Sequence, residues 1–555
     1  MAVVHVDLSA RTAWTVASDP AAAAYVRGGP LEALEGLLVV LSDGGEDVDP
    51  VDAPVALVAG PVAGVAGPGL SRITAIGLSP LSGGIADTRA EGPFAAGLRR
   101  TGLTGIVLHG RAPEPVTVLV QDGTVTLVPA GGLWGMETGA ATDALTRRHG
   151  TDAVVAVIGP AGEHGVRYAT VVTCRDHPLP RHGFGALLGG KRVKAVVCVG
   201  GSVPYVADPD ALTRIAAAYA DAVPENTLTA WQRGAPGFAV WRGEPGYANV
   251  ANFTDTRTAG GVDPTAAPAL ERVAACPGCP TDCVKVYAGA AVHQESLAAL
   301  GPGAGGPDPW TLNARCLQLG LDPVSLAGTL AAAGIPPDAI PDTVERLALG
   351  RDDGAGPGDG AARLRVTADA PMVVKGVELP PFDPRVQPNL GLGYAVAPVG
   401  PRYDILEHDL DFDPERGMPA CFPEIRRVGV EAPRLLGRLD PAGTAVLMRL
   451  WSGLDALGVC LFAATPTRPL GLRDVEDLVE AVTGERPDVL GLGARRLSLQ
   501  RRVNRLRGLG PEQDTLPERF FTEPIESGPY AGAVLDRASF DRALDVLREQ
   551  LGFPS

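Results

Sequence analysis

Cys276, Cys279 and Cys283 fall within one short run, CPGCPTDC, and Cys460 stands far downstream in LDALGVC. Three thiolates from one loop and a fourth from a distant segment suit an iron–sulfur cube. The near three set a corner and the remote one closes the cage. Pro277 and Pro280 keep helix out of the loop, so its sulfurs can point the same way. Four thiolates would also satisfy a tetrahedral zinc, but structural zinc ordinarily uses two close cysteine pairs rather than three plus one. Cys174, Cys198, Cys316 and Cys421 stand singly and read as buried, inert thiols.

Gly-rich loops at strand ends come next: SRITAIGLSPLSGG from Ser71, IGPAGEHG from Ile158 and RHGFGALLGGKRVKA from Arg181. Backbone N–H groups in such loops, beside Arg or Lys, make cradles for phosphate. None matches GxxxxGK[ST], and no GxGxxG sits between a strand and a helix, which disfavours an ordinary dinucleotide domain. LQLGLD (317–322) and DALGVC (455–460) share the frame L-G-[L/V]-[D/C], once in each helical region. Coincidence is the plain reading; two equivalent loops gripping two halves of one ligand is the other. Tyr403, Asp404, Glu407 and His408 form a polar cluster after the Gly-rich GLGYAVAPVG. His408 is the better proton shuttle there because its ordinary pKa lies near neutrality, with Tyr403 second; a surface salt-bridge network is the alternative. Glu295 in HQESLAALG reads as a solvated carboxylate at a helix start, with His293 beside it.

The elements that must position these groups follow from patterning. A chain of 555 residues exceeds one core, and 45% hydrophobic residues with mean hydropathy +0.12 leave ample material to bury. Runs such as VVHVDLS, APVALVAG, RITAIGLS, GIVLHG, AVVAVIG and KAVVCVG predict a β-rich base of two sheets over residues 1–203, with a few helical pieces between strands. Residues 204–385 read as helices broken by Pro and Gly, among them PALERVAAC and PWTLNARCLQLG, carrying the cysteine loop. Residues 386–555 form a third, helical region; its basic stretch 495–507 reads first as a solvated helix face, then as a ferredoxin dock or a buried arginine network. The fold class expected is α+β, a two-sheet base followed by two mainly helical domains. A net charge of −16 and pI near 5.0 argue against nucleic acid and anionic membrane surfaces. No segment has the length of apolar residues a membrane span needs, the N-terminus lacks a basic region before an apolar core, and eight cysteines without a disulfide framework point to a reducing, cytoplasmic setting.

Taken together and in order, SPLSGG, GPFAAGLRRTGLTGIVLHGRA, LWGMET, VIGPAGEHGVRYA, RHGFGALLGGKRVKAV, CPGCPTDC, LGLD and LDALGVC resemble the tungsten-containing aldehyde:ferredoxin oxidoreductase family across nearly the whole chain. The resemblance implies a tungsten (or molybdenum) bis-pterin on the base domain, a [4Fe–4S] cluster ligated by Cys276, Cys279, Cys283 and Cys460, and oxidation of an aldehyde or related carbonyl with electrons passed to ferredoxin. It assigns Arg72 and Arg181 to the pterin phosphates, and His182, with Gly183 and Gly185 after it, to a loop whose carbonyl meets a bridging magnesium. Gly320, Leu321, Asp322, Asp455 and Gly458 fall to the two pterin loops, and Glu295, Tyr403 and His408 to acid–base work near the metal. A homodimer is a common state in the family. The chain departs from the pattern at Leu317, where an Asp usually opens the first loop, and at Thr88, Arg89, Ala90, Glu91 and Gly92, where a Ser-Asn-x-Gly-Gly run is usual. A carboxylate at Glu91 near phosphate needs a compensating cation. Those departures support an alternative: a member that has lost the metal–pterin centre and serves as a non-catalytic assembly or interaction protein.

Overall fold

The computed structural model describes residues 2–17, 29–42, 45–236, 252–254, 267–293, 295–301, 307–351, 356–364, 371–412, 426–430, 438–464 and 466–553. Cys421 lies outside them. Twelve strands build the base as two six-stranded sheets. The first holds β1 (Ala2–Asp7), β2 (Thr12–Ala17), β3 (Val55–Ala59), β4 (Ile73–Leu78), β5 (Ile85–Ala90) and β6 (Gly105–His109), in the order β2-β1-β6-β3-β4-β5. The second holds β7 (Val116–Gln121), β8 (Thr124–Pro129), β9 (Val154–Ile158), β10 (Val171–Thr173), β11 (His177–Leu179) and β12 (Val193–Val199), in the order β8-β7-β12-β9-β10-β11. Adding six to every strand number of the first sheet reproduces the second. Pairing agrees: β1 with β6 and β7 with β12 are parallel, and β3 with β6 and β9 with β12 are antiparallel. Each sheet also inserts one short helix before its last strand, Phe94–Arg100 in one and Phe184–Gly190 in the other.

Burial explains which strands read clearly. VALVA of β3 and VVAVI of β9 are buried at every position, as a strand covered on both faces requires a continuous apolar run. Outer β8 alternates between exposed and half-buried residues, and β2 is exposed throughout. Phe94, Leu98, Phe184 and Leu187 from the inserted helices join Val4, Val118 and Ala156 in one core between the sheets.

Helices cover the rest of the base. Pro441–Leu457 packs along Val489–Leu506, and both lie against Pro30–Ser42. The first two ends are set by capping: Asp440 and Asp488 accept from the N–H groups of Gly443 and Gly491. Two expectations change. PALERVAAC is not helical; Arg272–Val273 is instead an edge strand on a hairpin of Lys285–Tyr287 and Ala290–Val292. GLGYAVAPVG opens inside Pro388–Val396, a wholly buried helix whose glycines admit Pro384 and Leu406 at close range. The basic run is not simply a solvated face: Arg496, Gln500, Arg501 and Asn504 are buried. Among the described residues no helix is long and apolar enough to cross a membrane.

Candidate functional site

The two L-G-[L/V]-[D/C] loops occupy equivalent places. Helix Pro309–Leu319 stops at Gly320 (φ 77°), and helix Pro441–Leu457 stops at Gly458 (φ 82°), each in the left-handed conformation that ends helices. The next N–H reaches back in both cases, Leu321 to the Cys316 carbonyl and Val459 to the Leu454 carbonyl. Each cap is then stitched to one sheet. Gly159, just after β9, lies so near the first that a Cβ there would stand 2.2 Å from the Leu319 carbonyl oxygen. Gly60, just after β3, is its topological equivalent, and its Cβ would stand 2.5 Å from the Leu457 carbonyl. Asp322 N donates to the Tyr168 carbonyl and Cys460 N to the Gly69 carbonyl.

That stitching delivers Cys460 to the cysteine loop. Cys276, Cys279, Cys283 and Cys460 line one cavity of about 330 Å³ together with Gly69, Arg72 and Glu91. All four are free thiols; Cys460 is buried, and the three loop cysteines are half-buried. Among the described residues no three His, Cys, Asp or Glu side chains are arranged to hold a single ion. The four cysteines border one common space, as ligands of a multi-iron cluster would have to. Burial pushes Cys276 and Cys283 well up, and the neighbouring sulfurs add to it; Cys460 rises to about 12 through burial, opposed by Arg72. Bound iron would have to displace those protons. The Gly92 N–H already points at Cys276 Sγ, 3.3 Å away, the kind of contact that tunes a cluster's potential.

Arg72, Glu91, Cys283 and Phe462 also line a neighbouring chamber of about 710 Å³, whose wall includes Arg89, Glu295, Leu317, Asp322, Arg402, Tyr403 and Asp404. A third space of about 340 Å³ adjoins it; Arg89 and Asp404 line both, and Asp455 and Arg496 line the third. One loop therefore faces each chamber, the first through Leu317 and Asp322, the second through Asp455. Between them runs a buried network of guanidinium and carboxylate groups. Arg72 meets Asp455 at 2.8 Å and Glu91 at 2.9 Å, while Arg89 meets Asp404 and Asp455, both at 2.9 Å. Arg402 takes Asp404 in a two-point grip at 2.7 and 2.8 Å, and Arg496 reaches Asp87 at 2.7 Å. Burial alone would raise Asp404, but Arg402 and Arg89 hold it far below the usual carboxylate range. Glu91 is likewise held down, against burial, by Arg72, so the cation it needs is Arg72 rather than Arg89.

Glu295 is only 6% exposed, which overturns its reading as a solvated carboxylate. Burial, opposed by Arg181, lifts its pKa to about 8, and among the described residues its Oε2 has no hydrogen-bond partner. Tyr403 lines the same chamber. His408 lines none of the three spaces; its Nε2 meets the Tyr403 carbonyl at 2.9 Å and its ring packs on Phe382. The polar cluster is not a surface network, since Asp404, Glu407 and His408 are all buried. Asp322 accepts from Arg181 N and Ser325 N, both at 2.8 Å. Arg181 and His182 are buried near Arg89 and Arg402; among the described residues Arg181 Nε and both His182 ring nitrogens lack hydrogen-bond partners. Orphaned donors in a cationic, dry setting fit an anionic group. Gly183 and Gly185 instead let backbone pass, meeting the Arg167 and Thr170 carbonyls. Arg402 was missed by sequence reading. Its signal was an arginine two residues before Asp404, a spacing common in any loop.

A two-sheet base carrying a four-cysteine cavity beside paired-loop chambers defines the class. The aldehyde ferredoxin oxidoreductase N-terminal domain profile matches residues 3–200, and that of domains 2 and 3 matches residues 336–554. The chain belongs to the aldehyde ferredoxin oxidoreductase family, a family of oxidoreductases. It is 28% identical to the tungsten-containing aldehyde ferredoxin oxidoreductase of Pyrococcus furiosus over 89% of this chain and 87% of that one. Identity to the same enzyme of Thermococcus kodakarensis is also 28%, covering 86% and 84%. In fold it is similar to the active-site complex BamBC of benzoyl coenzyme A reductase, with a TM-score of 0.77, 19% identity, and 100% and 94% of the two chains covered.

Proposed function

We propose that this chain is an oxidoreductase that converts an aldehyde or related carbonyl to a carboxylic acid, passing electrons through a [4Fe–4S] cluster to ferredoxin. Cys276, Cys279, Cys283 and Cys460 would hold the cluster. A tungsten or molybdenum bis-pterin would span the two chambers, gripped by Asp322 and Asp455 with Arg72 and Arg181 toward its phosphates. The observation that carries this reading is the shared wall: Arg72, Glu91, Cys283 and Phe462 border both the four-sulfur cavity and the large chamber. A cluster there would stand next to a redox centre on one side and a half-buried loop on the other.

When bound, the metal–pterin group supplies oxygen transfer and two-electron redox chemistry. The chain's own residues bind, orient and move protons. Glu295, dry and with a free carboxylate oxygen facing the chamber, would take a proton as general base. Tyr403 would orient the substrate carbonyl through its phenol, which burial and the adjacent Asp404 keep protonated. His408 would fix Tyr403 through its backbone. Leu317, Val324 and Phe462 line the same chamber and suit an apolar substrate body.

Anaerobically purified protein should carry four irons and one tungsten or molybdenum per chain, release pterin on acid oxidation, and reduce viologen dye with aldehydes. Iron without pterin would instead favour the non-catalytic reading, which Leu317 supports by withholding a carboxylate from the first loop.

A further inference from the structure

Helix Pro209–Ala222 buries two side chains, Leu212 and Tyr219, about two turns apart on one face. Its start is fixed by Asp208, whose carboxylate accepts from the Ala211 N–H. The Tyr219 phenol ends on the cysteine loop, where its oxygen lies 2.7 Å from Thr281 Oγ1. Both residues are only 2% exposed. Thr281 stands between Cys279 and Cys283 in the sequence and lines the cavity that those two share with Cys276 and Cys460. Burial keeps the phenol protonated, and Cys279, Cys460 and Cys283 act on it in the same sense, so it lies within electrostatic reach of three of the four sulfurs.

Two hydroxyls carry two hydrogens, and the bond between them uses one. Among the described residues the other has no acceptor, a costly state for a dry donor. A phenol is the stronger acid of the two, so Tyr219 donates to Thr281 and leaves the threonine hydrogen spare. Thr281 is on the cavity wall and Tyr219 is behind it. We propose that Thr281, polarised by Tyr219, donates a hydrogen bond to a sulfur of the cluster and raises its reduction potential. Tyr219 acts through Thr281 and is a positioning residue. The proposal rests on the four-cysteine cluster reading above. A reduced cluster carries one more negative charge than an oxidised one, so a donated hydrogen bond favours the reduced form. Two hydroxyls in series strengthen the effect, because each bond polarises the next. With the Gly92 N–H on Cys276, the cluster would then receive donors from both the sheet base and the cysteine loop.

The test is a redox titration of the intact, anaerobically purified protein, followed by electron paramagnetic resonance of the reduced cluster and accompanied by iron analysis. Thr281→Val keeps the shape of the side chain and loses its hydroxyl. It should retain its iron and lower the potential, so that the ratio of reduced to oxidised cluster at a fixed ambient potential falls by roughly two- to tenfold. Thr281→Ser should return the ratio to near its wild-type value, and Tyr219→Phe should give a smaller fall in the same direction. A wild-type potential in Thr281→Val would overturn the proposal. Equal falls in Thr281→Val and Thr281→Ser would overturn it too, since they would mark packing alone. Should Thr281→Val lose its iron, Tyr219→Phe decides, because it leaves the loop sequence intact: an unchanged potential there overturns the proposal and a lowered one upholds it. The titration reads the cluster directly, so it gives its answer with or without pterin. Wild-type protein that holds no iron would sink the cluster reading itself, and this proposal with it.

Discussion

Glu295 is the side chain that burial changes most at the site. Its pKa of about 8 lies above the 4.5 of an ordinary glutamate, so the folded protein holds a proton that the unfolded chain has released. The stability this contributes is complete below about pH 4.5 and is lost as pH rises toward 8. Activity should run the other way, because Glu295 as the proposed general base must be ionised. kcat/KM with an aldehyde should climb toward a plateau above about pH 8. Glu295→Gln should lower it by roughly 10²–10⁴-fold and remove that limb of the profile; an unchanged pH profile in the variant would assign the limb elsewhere. The cysteines make a simpler case. Cys460→Ala should lose most of the iron and the brown colour, whereas Cys316→Ala, buried away from the cavity, should keep both.

At the scale of elements, the paired glycines behind the loops do the positioning, and they separate the two halves of the ligand site. A methyl at Gly60 would strike the Leu457 carbonyl three residues ahead of Cys460, and a methyl at Gly159 would strike the Leu319 carbonyl. Backbone cannot yield as a side chain tip does, so each change costs stability by about 1–3 kcal/mol or more. Gly60→Ala should reduce iron content, and Gly159→Ala should spare the iron while weakening pterin retention. Helix Val489–Leu506 sends Arg496, Gln500 and Asn504 inward at four-residue spacing, to Asp87 and Asp455, to Asp87, and to the Ile85 N–H. Arg496→Ala leaves two buried carboxylates short of a partner and should destabilise by roughly 3–5 kcal/mol, read from denaturant unfolding. The sequence left a solvated face, a docking face and a buried arginine network all open for this basic stretch. An inward stripe and an outward one carry the same charge count, and the partners Asp87 and Asp455 lie in two other regions.

Across the whole molecule, a cluster on Cys276, Cys279, Cys283 and Cys460 would tie the helical regions together over the base, as a cross-link does. Stripping the iron should lower the melting temperature of the protein, with a loss on the order of 2–5 kcal/mol, comparable to removing a long-loop disulfide. Equal melting of the iron-loaded and stripped forms would mean that the four sulfurs hold nothing across the fold. Of the four sulfurs, that of Cys283 is the one whose residue borders both the cavity and the large chamber.

Much of this was written in local sequence. Short apolar runs marked β3, β9 and β12 as strands, CPGCPTDC marked the near three sulfurs, and the repeated L-G-[L/V]-[D/C] frame, whose plain reading was coincidence, hinted at both loops, because helix capping by Gly and strand burial are short-range effects. What sequence could not carry was convergence. The identical order of the two sheets, the equivalence of Gly60 with Gly159, the shared wall between cavity and chamber, and the meeting of Arg72, Arg89 and Arg496 on Asp455 all join residues hundreds of positions apart. Their spacing along the chain obeys no period, since only chain packing brings them together, and that is decided by the tertiary structure.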